Sequence, residues 1–300
     1  MMHTQFYDQV LTEIQSGNVK DGITLLVGML DTVGHDERIF AAASTSLKAH
    51  DLWTLLLEDP MCGLANAVPR QPDLLIDLIC DHPLDVATSS TGQRLFEVTT
   101  SLTFARAIRE RAKIAEEKLV RAWQAGAQIC ILGIDNLRAL RSLENQYLSN
   151  IIFVDPDPRS LQRSMDAFGP SLHCVNATPE AFLKSSAEAT APFDLICATA
   201  LADHLQPAAL EALLSLGRDC LAAQGALQIA SFVPQHLGTG WRRACLGWDI
   251  NCHNEPQIAA SAARAGLCAR TYRDTSDSVI WSEFRRANKE LNEGGLRNGY

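Results

Sequence analysis

The chain has 300 residues, 47% of them hydrophobic and 20% charged, with a formal net charge of -9 at pH 7. That length holds one large domain with an appendage, or two domains with cores of their own. An acidic balance without a Lys/Arg cluster excludes a nucleic-acid backbone as the expected partner, because phosphate neutralisation supplies most of that affinity.

No run of about 18 apolar residues is present to span a bilayer. The start MMHTQFYDQV lacks the basic n-region and apolar h-region of a signal peptide. The expectation is a cytoplasmic protein acting on a small molecule, with no membrane partner; a homodimer stays open. Of the nine cysteines, Cys130, Cys174 and Cys197 fall in apolar strand-like runs and no CxxC pair occurs, so they read as reduced core thiols.

Residues 1 to 125 carry helical periodicity and almost no strand signal. FYDQVLTEIQSG, DGITLLVGMLDTV, HDLWTLLLEDP and SLTFARAIRERAKIAEEKLVRAW repeat apolar residues every three or four positions. This is a helical N-terminal cap region. Pro60, Pro69, Pro72 and Pro83 break residues 58 to 95 into short helices and loops.

From Gln128 the pattern alternates strand and helix. Strands are expected at QICILGI, NIIFVD, LHCVNA, FDLICAT, GALQIASF, LCARTYRD and SVIWSEFRR. The helices between them are LRALRSLENQ, PRSLQRSMDAF, PEAFLKSSAEA, PAALEALLSLGRDCLAA and EPQIAASAARAG. This is an α/β, Rossmann-like domain over residues 126 to 287. Its last two strands form a hairpin-like pair, and residues 288 to 300 read as a flexible tail.

In open α/β sheets ligands bind beyond the carboxyl ends of the strands, so the residues just past each strand carry the functional information. After the first strand stand Gly133, Ile134, Asp135 and Asn136, the layout of a nucleotide-binding turn with a single glycine. About 20 residues further on, Asp155 and Pro156 end the second strand, where an acid would accept hydrogen bonds from ribose hydroxyls. DPDP also reads as a helix start, with Asp157 as N-cap and Pro158 at the first helical position, and both readings can hold together. Asn176 and Ala177 after the third strand face an adenine edge, or else the segment only starts a helix at Thr178.

Past the fourth strand, small residues at Ala198 and Ala200 flank Thr199 and let the backbone approach a ligand. Asp203 and His204 follow; His204 is either a general base or a surface histidine before the Pro207 helix. VPQHLGTGWRRACLGWDINCHN is long for a βα connection. It reads as a substrate lid carrying His236, Trp241, Trp248 and His253, or as a loop held down by two buried tryptophans. The two histidines lack metal-site spacing, so no metal is expected. Arg109 is the pocket-facing candidate of its helix, able to clamp an acceptor carboxylate, against a plain salt bridge with Glu110 or Glu116. His204, Arg109 and His253 are thus the catalytic candidates. Gly133, Asp135, Asp155, Pro156, Asn176, Ala177 and Thr199 are those for a cofactor.

The stretch from Gln128 to Arg286, above all FDLICATALADHL followed by LGRDCLAAQGALQIASF, resembles the class I S-adenosylmethionine-dependent methyltransferases. HDLWTLLLEDP, PRQPDLLIDLI and STGQRLFEVTTSLTFARAIRERAK further resemble the bacterial methyltransferases that make 3-hydroxy fatty acid methyl ester signals, and their relatives of unknown substrate. The resemblance implies a seven-stranded sheet whose last strand inserts antiparallel, S-adenosyl-L-methionine as cofactor, and a helical region closing over cofactor and acceptor. It implies methyl transfer to a small or amphiphilic metabolite at a carboxylate, hydroxyl or amine, in bacterial secondary metabolism. The chain departs from the family at two places. Asp135, Asn136 and Leu137 replace the glycine-rich core of the first turn, and PRQPDLL replaces a segment with tyrosine and glycines. A fold that has lost or repurposed the cofactor site is therefore the alternative reading.

Overall fold

The computed structural model describes residues 2–67, 72–81, 88–133, 138–143, 146–188, 192–234 and 236–287. In chain order the helical half contains α1 (Met2–Gln15), α2 (Val19–Val33), α3 (Glu37–Lys48), α4 (Asp51–Leu56), α5 (Pro60–Ala67), α6 (Pro72–Asp81), α7 (Ser90–Thr99) and α8 (Thr103–Gln124). There follow β1 (Ile129–Leu132), β2 (Ile151–Asp155), α9 (Pro158–Phe168), β3 (His173–Asn176), α10 (Pro179–Glu188), β4 (Phe193–Cys197) and α11 (Pro207–Cys220). The chain continues through β5 (Leu221–Phe232), α12 (Thr239–Leu246), α13 (Glu255–Arg264), β6 (Leu267–Arg273) and β7 (Val279–Arg286).

These elements fall into two compact units. The first is Met1–Glu110 with Gln235–Ile250 and Asp274–Ser278; the second is Arg111–Pro234, Asn251–Arg273 and Val279–Tyr300. Helices give way to strands near residue 125, but the units divide within α8, at 110/111.

In the first unit, α2 turns Val19, Ile23, Leu26 and Leu30 inward at helical spacing. Asp36 caps α3 by accepting from the amides of Arg38 and Ile39, and Ser89 caps α7 by accepting from Gly92. Pro60 and Pro72 stand at the first residues of α5 and α6, where a missing N–H costs nothing. Pro69 and Pro83 lie outside the described residues.

Asp59 precedes α5 and is fully buried, its Oδ1 accepting from the Met61 amide at 3.0 Å. Burial pushes its carboxyl up to about 6, outweighing the hydrogen bonds that favour the carboxylate. Because the folded value lies above the unfolded one, this group's contribution to stability is fully present below about pH 4. It is lost as pH rises through about 6. Asparagine keeps the capping oxygen and carries no charge. Asp59→Asn is therefore expected to gain on the order of 2 kcal/mol at pH 8 and to flatten the pH dependence between roughly pH 4 and 6. Urea titrations at several pH values check this; an unchanged slope would remove Asp59 as its source.

The long connection after β5 is not a loop. It contains α12, bracketed by left-handed Gly238 and Gly247, and it belongs to the first unit. The Asp31 carboxylate on α2 accepts from the amides of Gly238 at 2.7 Å and Gly240 at 2.6 Å, which satisfies the donors at the start of α12. Arg243 pairs with Glu37 at 2.7 Å, and Asn66 of α5 donates to the Cys245 carbonyl at 2.9 Å. Trp241 and Trp248 are buried, so the reading of a segment held down by two tryptophans describes the geometry.

The second unit is a seven-stranded sheet in the order β3-β2-β1-β4-β5-β7-β6. The first five strands run parallel, and β7 inserts antiparallel between β5 and β6. This is the sheet that the resemblance implies: a Rossmann-like methyltransferase fold with a helical N-terminal region. β1 is buried on both faces, and so is β4 from Leu195 to Cys197, as parallel sheets require.

Two elements differ from the sequence expectation. The segment LRALRSLENQ yields, among the described residues, only a 3-10 turn over Arg138–Leu143. Buried Leu140 and Leu143 have the i, i+3 spacing that a 3-10 turn stacks, and the Ser142 amide donates to Glu116 at 3.1 Å. The second difference is that α11 ends at Cys220 and β5 starts at Leu221, four residues before the expected strand. Leu221 pairs with Phe193, and the register shifts before Leu195 meets Ala226. Gly225 sits at that irregularity, where a Cβ would stand 2.6 Å from the Phe193 carbonyl oxygen.

None of the nine cysteines forms a disulfide among the described residues. No helix among the described residues is long and apolar enough to cross a membrane. The tail, residues 288 to 300, lies outside the described residues.

Candidate active site

In the second unit the chain winds from β1 to β2 and β3 on one side, then to β4 and β5 on the other. The carboxyl ends of β1 and β4 therefore flank the topological switch point, where such sheets form a crevice. Gly133 follows β1 with φ of +91°, and its amide donates to the Val154 carbonyl at 3.0 Å. Glycine is needed there for its backbone conformation. Asp135, with Ile134, Asn136 and Leu137, lies outside the described residues.

Asp155 ends β2 and is 2% exposed. Its Oδ1 accepts from the Asp157 amide at 2.7 Å, folding the chain back over the strand end. Asp157 in turn caps α9 by accepting from the Arg159 amide, and Arg159 holds its carboxyl below the usual carboxylate range. The two aspartates thus divide the roles the sequence offered: Asp157 starts the helix, and Asp155 stays at the sheet edge. An ionised carboxylate has about four acceptor sites, so the turn contact is compatible with ribose hydroxyls. Asn176 pairs with Asp155 across β2 and β3, and its Nδ2 donates to the carbonyls of Asp155 at 3.2 Å and Pro156 at 3.1 Å. Its amide group is a clamp on the β2–α9 turn; Ala177 follows it, half-buried.

After β4, the Ala198 amide donates to Gln228 and the Thr199 carbonyl accepts from Ala230 at 3.1 Å, so β5 fixes this edge from outside. Thr199 is buried, with Ala198 and Ala200 on either side. A 3-10 turn follows over Leu201–His204. His204 is exposed, while Asp203 is 2% exposed and forms the centre of a polar knot. Its Oδ2 meets Arg111 Nη1 at 2.5 Å, its Oδ1 accepts from the Phe232 amide at 3.2 Å, and its carbonyl accepts from the Asn251 amide at 2.7 Å. The Arg111 guanidinium lies 5.3 Å from the centre of the Phe232 ring.

His253 completes the knot. It is 1% exposed, its amide donates to Phe232, and its Nε2 lies 3.1 Å from the carbonyls of both Ala202 and Leu205. Two carbonyl neighbours require Nε2 to carry the hydrogen, so the ring is a donor to the turn after β4. That arrangement is a staple for the turn and gives its Nε2 no role as a base.

Arg109 belongs to the first unit, where it donates to the carbonyls of Thr100 at 2.8 Å and Ile79 at 3.2 Å. It closes the ends of α7 and α6, and burial lowers its pKa from the ordinary guanidinium value. Of the two acids beside it, Glu110 accepts from Thr275 and Glu116 from Ser142. Arg111 is the buried arginine of α8. The signal was present in the sequence, because Phe104, Ile108, Arg111, Ala115 and Leu119 recur at helical spacing and all are buried, whereas Arg109 lies off that stripe.

No family model matches the chain, and no curated protein matches it in sequence. Among solved structures, a possible exported protein from Bordetella parapertussis aligns at 14% identity over 72% of this chain and 79% of that one, with a TM-score of 0.51. Magnesium protoporphyrin IX methyltransferase from Synechocystis PCC 6803 with bound SAM aligns at 14% identity over 61% and 83%, with a TM-score of 0.42. The 1,6-didemethyltoxoflavin-N1-methyltransferase of Burkholderia thailandensis aligns at 15% over 69% and 94%, with a TM-score of 0.44. Identities this low bear on the fold alone.

Proposed function

We propose that the second unit binds S-adenosyl-L-methionine along the carboxyl ends of β1 to β4 and supports transfer of its methyl group to a small or amphiphilic metabolite. The observation that carries this reading is the buried acid at the end of β2, beside a positive-φ glycine turn after β1, in a sheet of this strand order. Asp155 would hold the ribose, the Gly133 turn the methionine end, Ala177 the adenine edge, and Thr199 the backbone side of the cofactor. Asn176 and Pro156 would keep the ribose-binding turn in place.

S-adenosyl-L-methionine, when bound, supplies an electrophilic methyl group. The chain's part is alignment of the acceptor for in-line attack, which proximity and orientation accelerate strongly. A base is needed only where the acceptor must lose a proton. Exposed His204, at the end of the turn after β4, is the candidate that faces solvent. A carboxylate, hydroxyl or amine acceptor and a cytoplasmic setting go with this proposal.

The single glycine of the first turn favours a second reading, a methyltransferase fold put to another use. Calorimetric titration with S-adenosylmethionine and S-adenosylhomocysteine separates the two. Asp155→Ala is expected to weaken binding about tenfold to a hundredfold, the loss of charge-assisted hydrogen bonds of about 1.5–3 kcal/mol. Its melting temperature should fall only by the loss of the Asp157 amide's acceptor, because Asp157 itself remains the helix cap. Wild-type affinity in the mutant would take Asp155 out of the site, and absence of binding in the unsubstituted protein would favour the second reading.

A further inference from the structure

We propose that Arg111 and Asp203 are positioning residues of the cofactor edge: Arg111 holds the Asp203 carboxylate, and that carboxylate holds the turn after β4 in register with the end of β5. The inference rests on the methyltransferase reading and names two residues that act behind the cofactor contacts.

The turn over residues 198–205 is the part of the edge that Thr199 occupies, and it has two kinds of restraint. From β5 come main-chain hydrogen bonds at Ala198 and Thr199. Beyond Ala200, two buried side chains, Asp203 and His253, hold the turn. Asp203 Oδ1 takes the Phe232 amide, the last residue of β5, while the Asp203 carbonyl takes the Asn251 amide. A single buried residue thus ties the turn to two neighbouring segments. His253 adds the Ala202 and Leu205 carbonyls from the same side.

A carboxylate this deeply buried needs a counter-charge, because desolvation penalises the ion heavily. Arg111 supplies it at 2.5 Å, and packs against the ring of the same Phe232 whose amide Asp203 accepts. The guanidinium suits both tasks, as a planar, weakly hydrated cation that stacks on an aromatic face while donating along its edge. Both partners are nearly inaccessible, Arg111 at 4% and Asp203 at 2%, so neither is placed to touch a substrate. Their effect on binding would pass through the backbone of residues 198–205.

The test is S-adenosylhomocysteine affinity measured calorimetrically at a temperature where each variant is fully folded. Arg111→Met and Asp203→Asn are each expected to raise Kd by about tenfold or more. Arg111→Lys, which keeps the charge and loses the planar stack, should stay within about threefold. Leu213→Ala, a core truncation in α11, should lower the melting temperature and leave Kd unchanged, showing that destabilisation alone does not move affinity. If Arg111→Met does not fold, Asp203→Asn, which retains an acceptor for the Phe232 amide, carries the same comparison. Wild-type Kd in both Arg111→Met and Asp203→Asn, with only the melting temperature reduced, overturns the positioning role and leaves the cofactor reading intact. No binding in the unsubstituted protein overturns the cofactor reading and this role with it.

Discussion

Asp203→Ala is expected to destabilise the second unit by about 3–5 kcal/mol, the cost of leaving one member of a buried ion pair without the other. Three losses coincide. Arg111 keeps its charge in a site with almost no solvent, the Phe232 amide loses its acceptor, and the turn after β4 loses its side-chain tie to β5. Removing both charges behaves differently. In Arg111→Met/Asp203→Ala the uncompensated cation is gone and the methionine stem still covers the Phe232 ring, so the double variant should be more stable than Asp203→Ala alone by about 2 kcal/mol. The Phe232 amide has lost the Asp203 carboxylate in both, which keeps the double variant below the parent protein. Urea unfolding followed by tryptophan fluorescence measures the parent, Asp203→Ala, Arg111→Met and the double variant. Additive losses, with the double variant the least stable, would show that Arg111 and Asp203 do not act as a pair.

Much of this fold can be read from the sequence, and the limits have physical causes. The βα alternation from Gln128 and the closing hairpin follow from apolar runs and helix caps, which are local signals. The end of β2 at Asp155 follows from the apolar run before it, and the cap at Asp157 from the proline beside it. What the sequence misreads are residues whose role is set by long-range partners. Arg109 and Arg111 stand two positions apart with the same chemistry; only the burial stripe of α8 separates them, and only the fold shows that Asp203, 92 residues away, is waiting. His253 reads as a catalytic candidate because histidine titrates near neutrality, yet its Nε2 is committed to two carbonyls that no local pattern predicts. The segment after β5 reads as a loop because its glycines punctuate it. Two of them, Gly238 and Gly247, bracket a helix; the third, Gly240, lets that helix sit down.

Gly240→Ala is expected to cost about 3 kcal/mol or more, at the upper end of overpacking effects, although alanine is the better helix former. The backbone conformation is not the obstacle, since Gly240 is not among the positive-φ glycines. Space is. A Cβ at this position would run into the carbonyl carbon and oxygen of Leu30, and would stand 2.7 Å from the Asp31 amide nitrogen. These are main-chain atoms of α2, which cannot swing aside as a side chain could. Relief requires α12 to lift away from α2, and that lengthens the two bonds by which Asp31 holds the Gly238 and Gly240 amides. Gly247→Ala provides the contrast. Its φ of +58° strains an L-residue, but no atom of the described residues lies within 4 Å of the added carbon, so the expected loss is only about 1 kcal/mol. Thermal unfolding of the two variants beside the parent protein decides the matter. A Gly240→Ala protein that melts with or above Gly247→Ala would mean that α12 is not seated on the backbone of α2.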